Sequence, residues 1–199
     1  MKIYHDKLFH EDNCELLYNS SLQVYDILKQ TRSKWLESVD NSHMDFANNS
    51  ISTRVYDTYN IFLCPQIGFA ELYKLVINYF KTKESEYQKF SVAGWVNVYE
   101  ENDFLDWHKH GSSHHSHDGR WHGYVCVNAE PSKTLYRDSE GLVETIENKN
   151  SYITLSPGGL YHRTTPWEDT TKPRITIAFD FIKRDQIDLD NITRWIPVT

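Results

Sequence analysis

The chain lacks any apolar run approaching the length of a membrane-spanning helix. Cysteine is scarce. Cys14, Cys64 and Cys126 are far apart, odd in number and outside any C-x-x-C pattern, which excludes a disulfide framework and a cysteine-based zinc site. Positive charge is also short: 21 Lys and Arg face 28 Asp and Glu, a net charge of −7 with no basic stripe, which argues against nucleic acid as partner or substrate. No repeat is visible and no Gly- or Ser-rich stretch divides the chain, so one domain spanning 1–199 is expected. Within it, 1–86 would form an N-terminal helical and strand support and 87–199 the core. The opening residues Met1-Lys2-Ile3-Tyr4-His5-Asp6 carry no apolar signal region, so the expected location is the reducing cytoplasm.

Aromatic residues are plentiful at 14%, enough to pack a core and to set disorder aside. From Tyr18 onward, Leu22, Tyr25, Leu28, Trp35, Leu36 and Val39 recur at three- and four-residue steps, which predicts one buried helical stripe. Arg54 to Leu63 is rich in β-formers and reads as a strand. Pro65 then opens a second predicted helix with Phe69, Leu72, Tyr73, Val76 and Phe80 on one face. After Glu86 the pattern changes to short β-branched and aromatic runs, punctuated by turn residues such as Asp118-Gly119 and Pro157-Gly158-Gly159. The runs are FSVAGWVNVY, FLDWHKH, WHGYVCVN, KTLYRD, LVETIE, SYITLS, GLYHRTT and PRITIAFDF. The fold class is therefore mainly β with N-terminal helices, an antiparallel sandwich or barrel.

Taken as a strand, Phe104 to His110 places Asp106, His108 and His110 on one face and Trp107 and Lys109 on the other. Two imidazoles at i and i+2 can converge on one metal ion at about 2.0–2.1 Å from each nitrogen, with the zinc value as guide. His162, after the Ser-Pro-Gly-Gly turn, is the candidate third ligand from a separate strand. On the run beginning at Arg174, residues Arg174, Thr176, Ala178 and Asp180 share one face, and Ile175, Ile177, Phe179 and Phe181 share the other. Arg174 on the polar face would offer a planar fork to a carboxylate, with the Thr176 hydroxyl beside it.

The order W-x-N-x-Y, H-x-H, G-Y, S-P-G-G-L-x-H and P-R-I-T-I-A-F resembles the 2-oxoglutarate/Fe(II)-dependent oxygenase family, in its H-x-H … H … R branch. The resemblance covers roughly residues 90–182. It implies a double-stranded β-helix (a cupin-like jelly roll) and an Fe(II)/2-oxoglutarate-dependent dioxygenase that hydroxylates its substrate. It makes His108 and His110 the proximal ligands, His162 the distal ligand and Arg174 the anchor for the far carboxylate of 2-oxoglutarate. Thr176 stands where a Ser is frequent, and Tyr124 corresponds to an aromatic lining the pocket, with Asn97 and Tyr99 as further lining residues. The substrate would be a small molecule or a protein side chain, and a β-edge or the N-terminal helices could pair subunits into a homodimer.

Three departures stand out. His110 replaces the usual carboxylate, so three neutral imidazoles leave the site at a formal 2+ that dianionic 2-oxoglutarate would neutralise. The segment 111–120, with His114, His115 and His117, looks like an insertion beside the metal mouth, either a solvated loop or a substrate-contacting lid. Gly111 stands where a proline is frequent. Asp106 could orient an imidazole N–H, replace His110 as ligand or be a solvated turn residue, with the first favoured; His122 is a candidate beside the metal or at the substrate. Two other functions fit the same residues: a three-histidine cupin-type dioxygenase that needs no 2-oxoglutarate, and a non-catalytic jelly-roll binding module.

Overall fold

Two ten-residue strands carry the centre of the protein because they are buried on both faces. β3 (Phe90–Tyr99) and β9 (Arg174–Lys183) pair antiparallel from Phe90 opposite Lys183 to Tyr99 opposite Arg174. A computed structural model describes residues 2–36, 51–52, 59–110, 119–138, 140–169, 171–187 and 194–199. Before β3 come β1 (Tyr4–Lys7), α1 (Asp12–Leu36), β2 (Ile51–Ser52) and α2 (Phe69–Lys83). Between β3 and β9 lie β4 (Arg120–Asn128), β5 (Lys133–Arg137), β6 (Leu142–Glu147), β7 (Tyr152–Pro157) and β8 (Tyr161–Thr164), and β10 (Ile196–Pro197) closes the chain.

Among the described residues the strands form two antiparallel sheets. The larger runs β1-β7-β4-β9-β3-β10, with β2 also on β3, and the smaller runs β6-β5-β8. The alternation of β9 sets the layers. Ile175, Ile177, Phe179 and Phe181 meet Val92, Val96 and Val98 of β3, Leu17 and Val24 of α1, and Leu72, Val76 and Phe80 of α2 in one core cluster. Ala178, on the other face, joins Trp95, Tyr124 and Cys126 of the large sheet with Tyr136, Ile146 and Leu160 from the small sheet and the turn before β8. The helices thus cover one face of the large sheet and the small sheet covers the other. Each fully buried large apolar side chain contributes about 1.5–3 kcal/mol to this arrangement.

The predicted runs after Glu86 form strands within a residue or two, except one. Phe104 to His110 is an irregular extended segment, not a strand of the sheet, although it lies antiparallel to β8 through a bridge between His108 and His162. The predicted strand 54–63 is also corrected. Its described part is an irregular stretch followed by a 3₁₀ turn at Ile61–Leu63. Asn60 explains the change: its Oδ1 accepts from Phe62 N and Gly94 N, while its Nδ2 donates to Val92 O and Arg194 O. One side chain thereby ties the turn to β3. Gly94 permits the approach, since a Cβ there would lie 2.7 Å from the Phe62 ring.

α1 begins six residues before the predicted stripe, and its buried face is Leu17, Ser20, Ser21, Val24 and Tyr25, with two serines that apolar periodicity hides. The side chains of Trp35, Leu36 and Val39 lie outside the described residues. α2 follows the predicted stripe, with Phe69, Leu72, Val76, Ile77 and Phe80 buried. Among the described residues no helix is long and apolar enough to cross a membrane.

Candidate metal centre

His108 and His162 face each other because their backbones pair: His108 N donates to His162 O at 3.1 Å and His162 N to His108 O at 2.8 Å. His110 is fixed by the turn before β8, donating its N–H to Gly158 O at 3.0 Å. Ring centroids lie 4.2 Å apart for His108 and His162, 5.4 Å for His108 and His110, and 5.2 Å for His110 and His162. One nitrogen from each ring lies within 4.8 Å of the others. Nitrogens at about 2.1 Å from one ion, at right angles, are about 3 Å apart, so the three rings lie within reach of one ion.

The outer contacts of these rings select the tautomer. His108 Nδ1 lies 2.7 Å from Asp106 O and His162 Nδ1 lies 3.3 Å from Leu160 O. A carbonyl only accepts, so each Nδ1 carries the proton and each Nε2 keeps a lone pair. His110 turns its Nδ1 to Asp180, 2.8 Å and 3.0 Å from the two carboxylate oxygens. Burial holds the His162 pKa well below the usual imidazole value, with added repulsion from His108, His122 and His110. The ring therefore stays neutral, as a ligand must. Three imidazoles held by outer hydrogen bonds fit a divalent transition metal such as iron, zinc, copper or nickel.

His122 also belongs to this cluster. Its ring stacks on His110 at 3.7 Å and lies 4.7 Å from His162, and its Nδ1 is 3.0 Å from Asp180 Oδ1. Asp106 is placed differently from the favoured expectation. Its carboxylate accepts from Trp107 N at 2.7 Å, and only its backbone carbonyl meets an imidazole. Asp180 is the carboxylate that orients histidines. Its parity with Arg174 was visible in the sequence, but nothing local paired it with His110, 70 residues away. Trp95 and Tyr136, which the sequence did not single out, pack beside the cluster, 5.7 Å from His110 and 5.6 Å from His162. The segment with His114, His115 and His117 lies outside the described residues.

Down the same face of β9, Thr176 pairs with Asn97 and Cys126, and Arg174 pairs with Tyr99. Asn97 Nδ2 donates to Thr176 Oγ1 at 3.5 Å. Tyr124 is buried opposite Ala178 and donates to Asn148 Oδ1 at 2.9 Å, and burial raises its pKa. Arg174 is 1% exposed, with its guanidinium 4.6 Å over the Tyr99 ring. Its Nε and Nη1 find no acceptor among the described residues. The inner face thus runs from a histidine cluster to a buried cation. His108, half-buried, is the most accessible of the three candidate ligands.

A prolyl-4-hydroxylase from Pseudomonas putida is 9% identical to this chain with a TM-score of 0.57, each chain covered over 92% of its length. A prolyl hydroxylase from Trichoplax adhaerens, in complex with a hypoxia inducible factor oxygen degradation domain peptide fragment, is 11% identical with a TM-score of 0.58, over 92% of this chain and 84% of that one. The chain shares their double-stranded β-helix fold. A nickel complex of the non-heme monooxygenase ThoJ has a TM-score of 0.55 at 9% identity, over 98% of this chain and 75% of that one. The fold neighbours are oxygenases, and the histidine cluster can hold a metal. No family model and no curated protein sequence matches the chain.

Proposed function

We propose that the protein is an Fe(II)- and 2-oxoglutarate-dependent dioxygenase that hydroxylates a small molecule or a protein side chain. The observation that carries this reading is a cluster of three imidazoles able to hold one metal, in a fold whose strand β9 also carries a buried guanidinium with donors to spare. His108, His110 and His162 would hold the metal and leave open positions for the cosubstrate and oxygen. Arg174 would take the far carboxylate of 2-oxoglutarate through its planar fork, with Thr176 beside it and Asn97, Tyr99 and Tyr124 lining the space. When bound, iron and 2-oxoglutarate supply the activated oxygen for hydroxylation. The protein's part is to orient the substrate and exclude competing reactions.

The oxygenase fold neighbours and the resemblance in residues 90–182 support the same reading. The peptide bound to the Trichoplax enzyme makes a protein side chain a reasonable substrate class here. Three free cysteines suit a cytoplasmic protein, and an edge such as that of β1 would serve a homodimer. The three-nitrogen donor set favours one second reading, a three-histidine dioxygenase that oxidises its substrate without 2-oxoglutarate.

The test is an anaerobic titration of the Fe(II)-loaded protein with 2-oxoglutarate, followed by visible absorption. A weak metal-to-ligand charge-transfer band is the expected result. Bound iron without that band points to the second reading, and no bound iron leaves a jelly-roll binding module.

A further inference from the structure

The proposed function leaves Asp180 and His122 without a part, although both are buried within the histidine cluster. Asp180 is completely buried, and a carboxylate in that position is costly unless it is paired. Its pairing is specific. Oδ1 lies 2.8 Å from His110 Nδ1 and 3.0 Å from His122 Nδ1, and Oδ2 lies 3.0 Å from His110 Nδ1. β9 places it there by register, with Asp180 opposite both Ala93 and His122.

We infer that Asp180 is a positioning residue of the metal centre that supplies, one hydrogen bond behind His110, the negative charge that the H-x-H pair does not bring to the metal directly. His122 is the strut that fixes Asp180. The inference rests on the metal reading above but not on the identity of the cosubstrate. An imidazole that donates Nδ1–H to a carboxylate is held in one orientation and offers a more basic Nε2 to a metal. Three neutral imidazoles around a divalent ion sum to 2+, and Asp180 brings the buried site to 1+, the same sum as two histidines with a direct carboxylate. His122 contributes geometry: its N–H holds Oδ1, and its ring stacks on His110 at 3.7 Å with an interplanar angle of 21°. Trp95 stacks on His110 at 5.7 Å and 14°, which further limits the ring.

A rival arrangement has His110, His122 and Asp180 as the ligands themselves, since their donor atoms also lie within 4.8 Å of one another. The nitrogens aimed at Asp180 are the two Nδ1 atoms, so a metal between them and the carboxylate would break both hydrogen bonds. The His108, His110 and His162 set leaves both intact.

Titration of the metal-free protein with Co(II), read by calorimetry and by the visible ligand-field bands, separates the possibilities. Asp180→Asn is expected to bind one Co(II) about 10- to 100-fold more weakly than the wild type. His162→Ala is expected to lose Co(II) binding. His122→Phe, which keeps a ring on His110 but removes the N–H to Asp180, is expected to weaken binding about threefold to tenfold, with the ligand-field bands retained. The His122 variant carries the test if Asp180→Asn does not fold. Affinities within about threefold of wild type for Asp180→Asn, or unchanged for His122→Phe, overturn the inference while leaving the metal centre standing. Loss of Co(II) binding in His122→Phe with binding retained in His162→Ala overturns it in favour of the rival ligand set. A wild type that binds no Co(II) removes the metal reading and this inference together.

Discussion

Arg174→Met isolates the proposed cosubstrate anchor, because ligand-free and ligand-bound protein should respond in opposite directions. The guanidinium is 1% exposed, and its Nε and Nη1 have no acceptor among the described residues. Burying a cation without a carboxylate costs several kcal/mol, and the Tyr99 face at 4.6 Å returns about 2 kcal/mol. Met has similar reach and no charge to desolvate, so the ligand-free variant should melt no lower than the wild type. In a chain of this size about 1 kcal/mol moves Tm by roughly 2–4 °C.

With 2-oxoglutarate the order reverses. Losing one partner of a buried, hydrogen-bonded charge pair costs about 2–5 kcal/mol, or roughly 30-fold to several-thousand-fold in Kd. At about 100 times the wild-type Kd, the cosubstrate stabilises the wild type by about 2.7 kcal/mol, a rise of roughly 5–11 °C. The variant should rise by at most about 3 °C under the same conditions. Thermal shift measurements on the metal-loaded proteins give both numbers. An equal cosubstrate-induced rise in wild type and variant would refute the anchor role. A ligand-free variant melting well below the wild type would refute the claim that burying the Arg174 charge costs more than its contact with Tyr99 returns.

Phe80→Ala removes the ring stacked on Phe181 at 3.7 Å and set edge-on to Phe90, so chemical denaturation should show a loss of about 3–5 kcal/mol. Gly94→Ala should cost about 1–3 kcal/mol in the same assay, because its Cβ would press into the Phe62 ring. Acidification should also destabilise the metal-free protein. The folded pKa of His162 is lowered by burial, so below about pH 6.5 the unfolded state binds more protons, and stability falls by up to about 1.4 kcal/mol per pH unit, with half-buried His5 acting in the same direction. His162→Phe should flatten that slope in melts between pH 7 and pH 5, and an unchanged slope would count against a buried neutral His162. Burial pushes the Cys126 thiol up to about 12, so at pH 8 a thiol reagent should label Cys126 only after denaturant is added.

Several features of this protein were legible without tertiary information. The period-two pattern of PRITIAFDF separated Arg174, Thr176, Ala178 and Asp180 from Ile175, Ile177, Phe179 and Phe181, and the structure puts those two sets against different layers. Strand alternation is local, so a sheet buried on both faces still shows its parity. The stripe of α2 was readable for the same reason, being a property of 3.6-residue geometry. The histidines His108, His110 and His162 could be nominated from their order along the chain, and the structure brings their rings together.

What escaped the sequence depended on partners far away in the chain. Phe104 to His110 looks like a strand by composition, but its backbone is shaped by separate bonds to Gly158 and His162. Asn60 turns a β-rich stretch into a 3₁₀ segment because it reaches Val92, Gly94 and Arg194. The serines in the buried face of α1 break the apolar pattern, and one of them is satisfied by Ile67 O, 47 residues on. Asp106 and Asp180 have equal claims by parity, one beside the histidines in sequence and one beside them in space. Periodicity determines which way a side chain points, but only the packing of β4 against β9 determines which carboxylate meets His110 and His122.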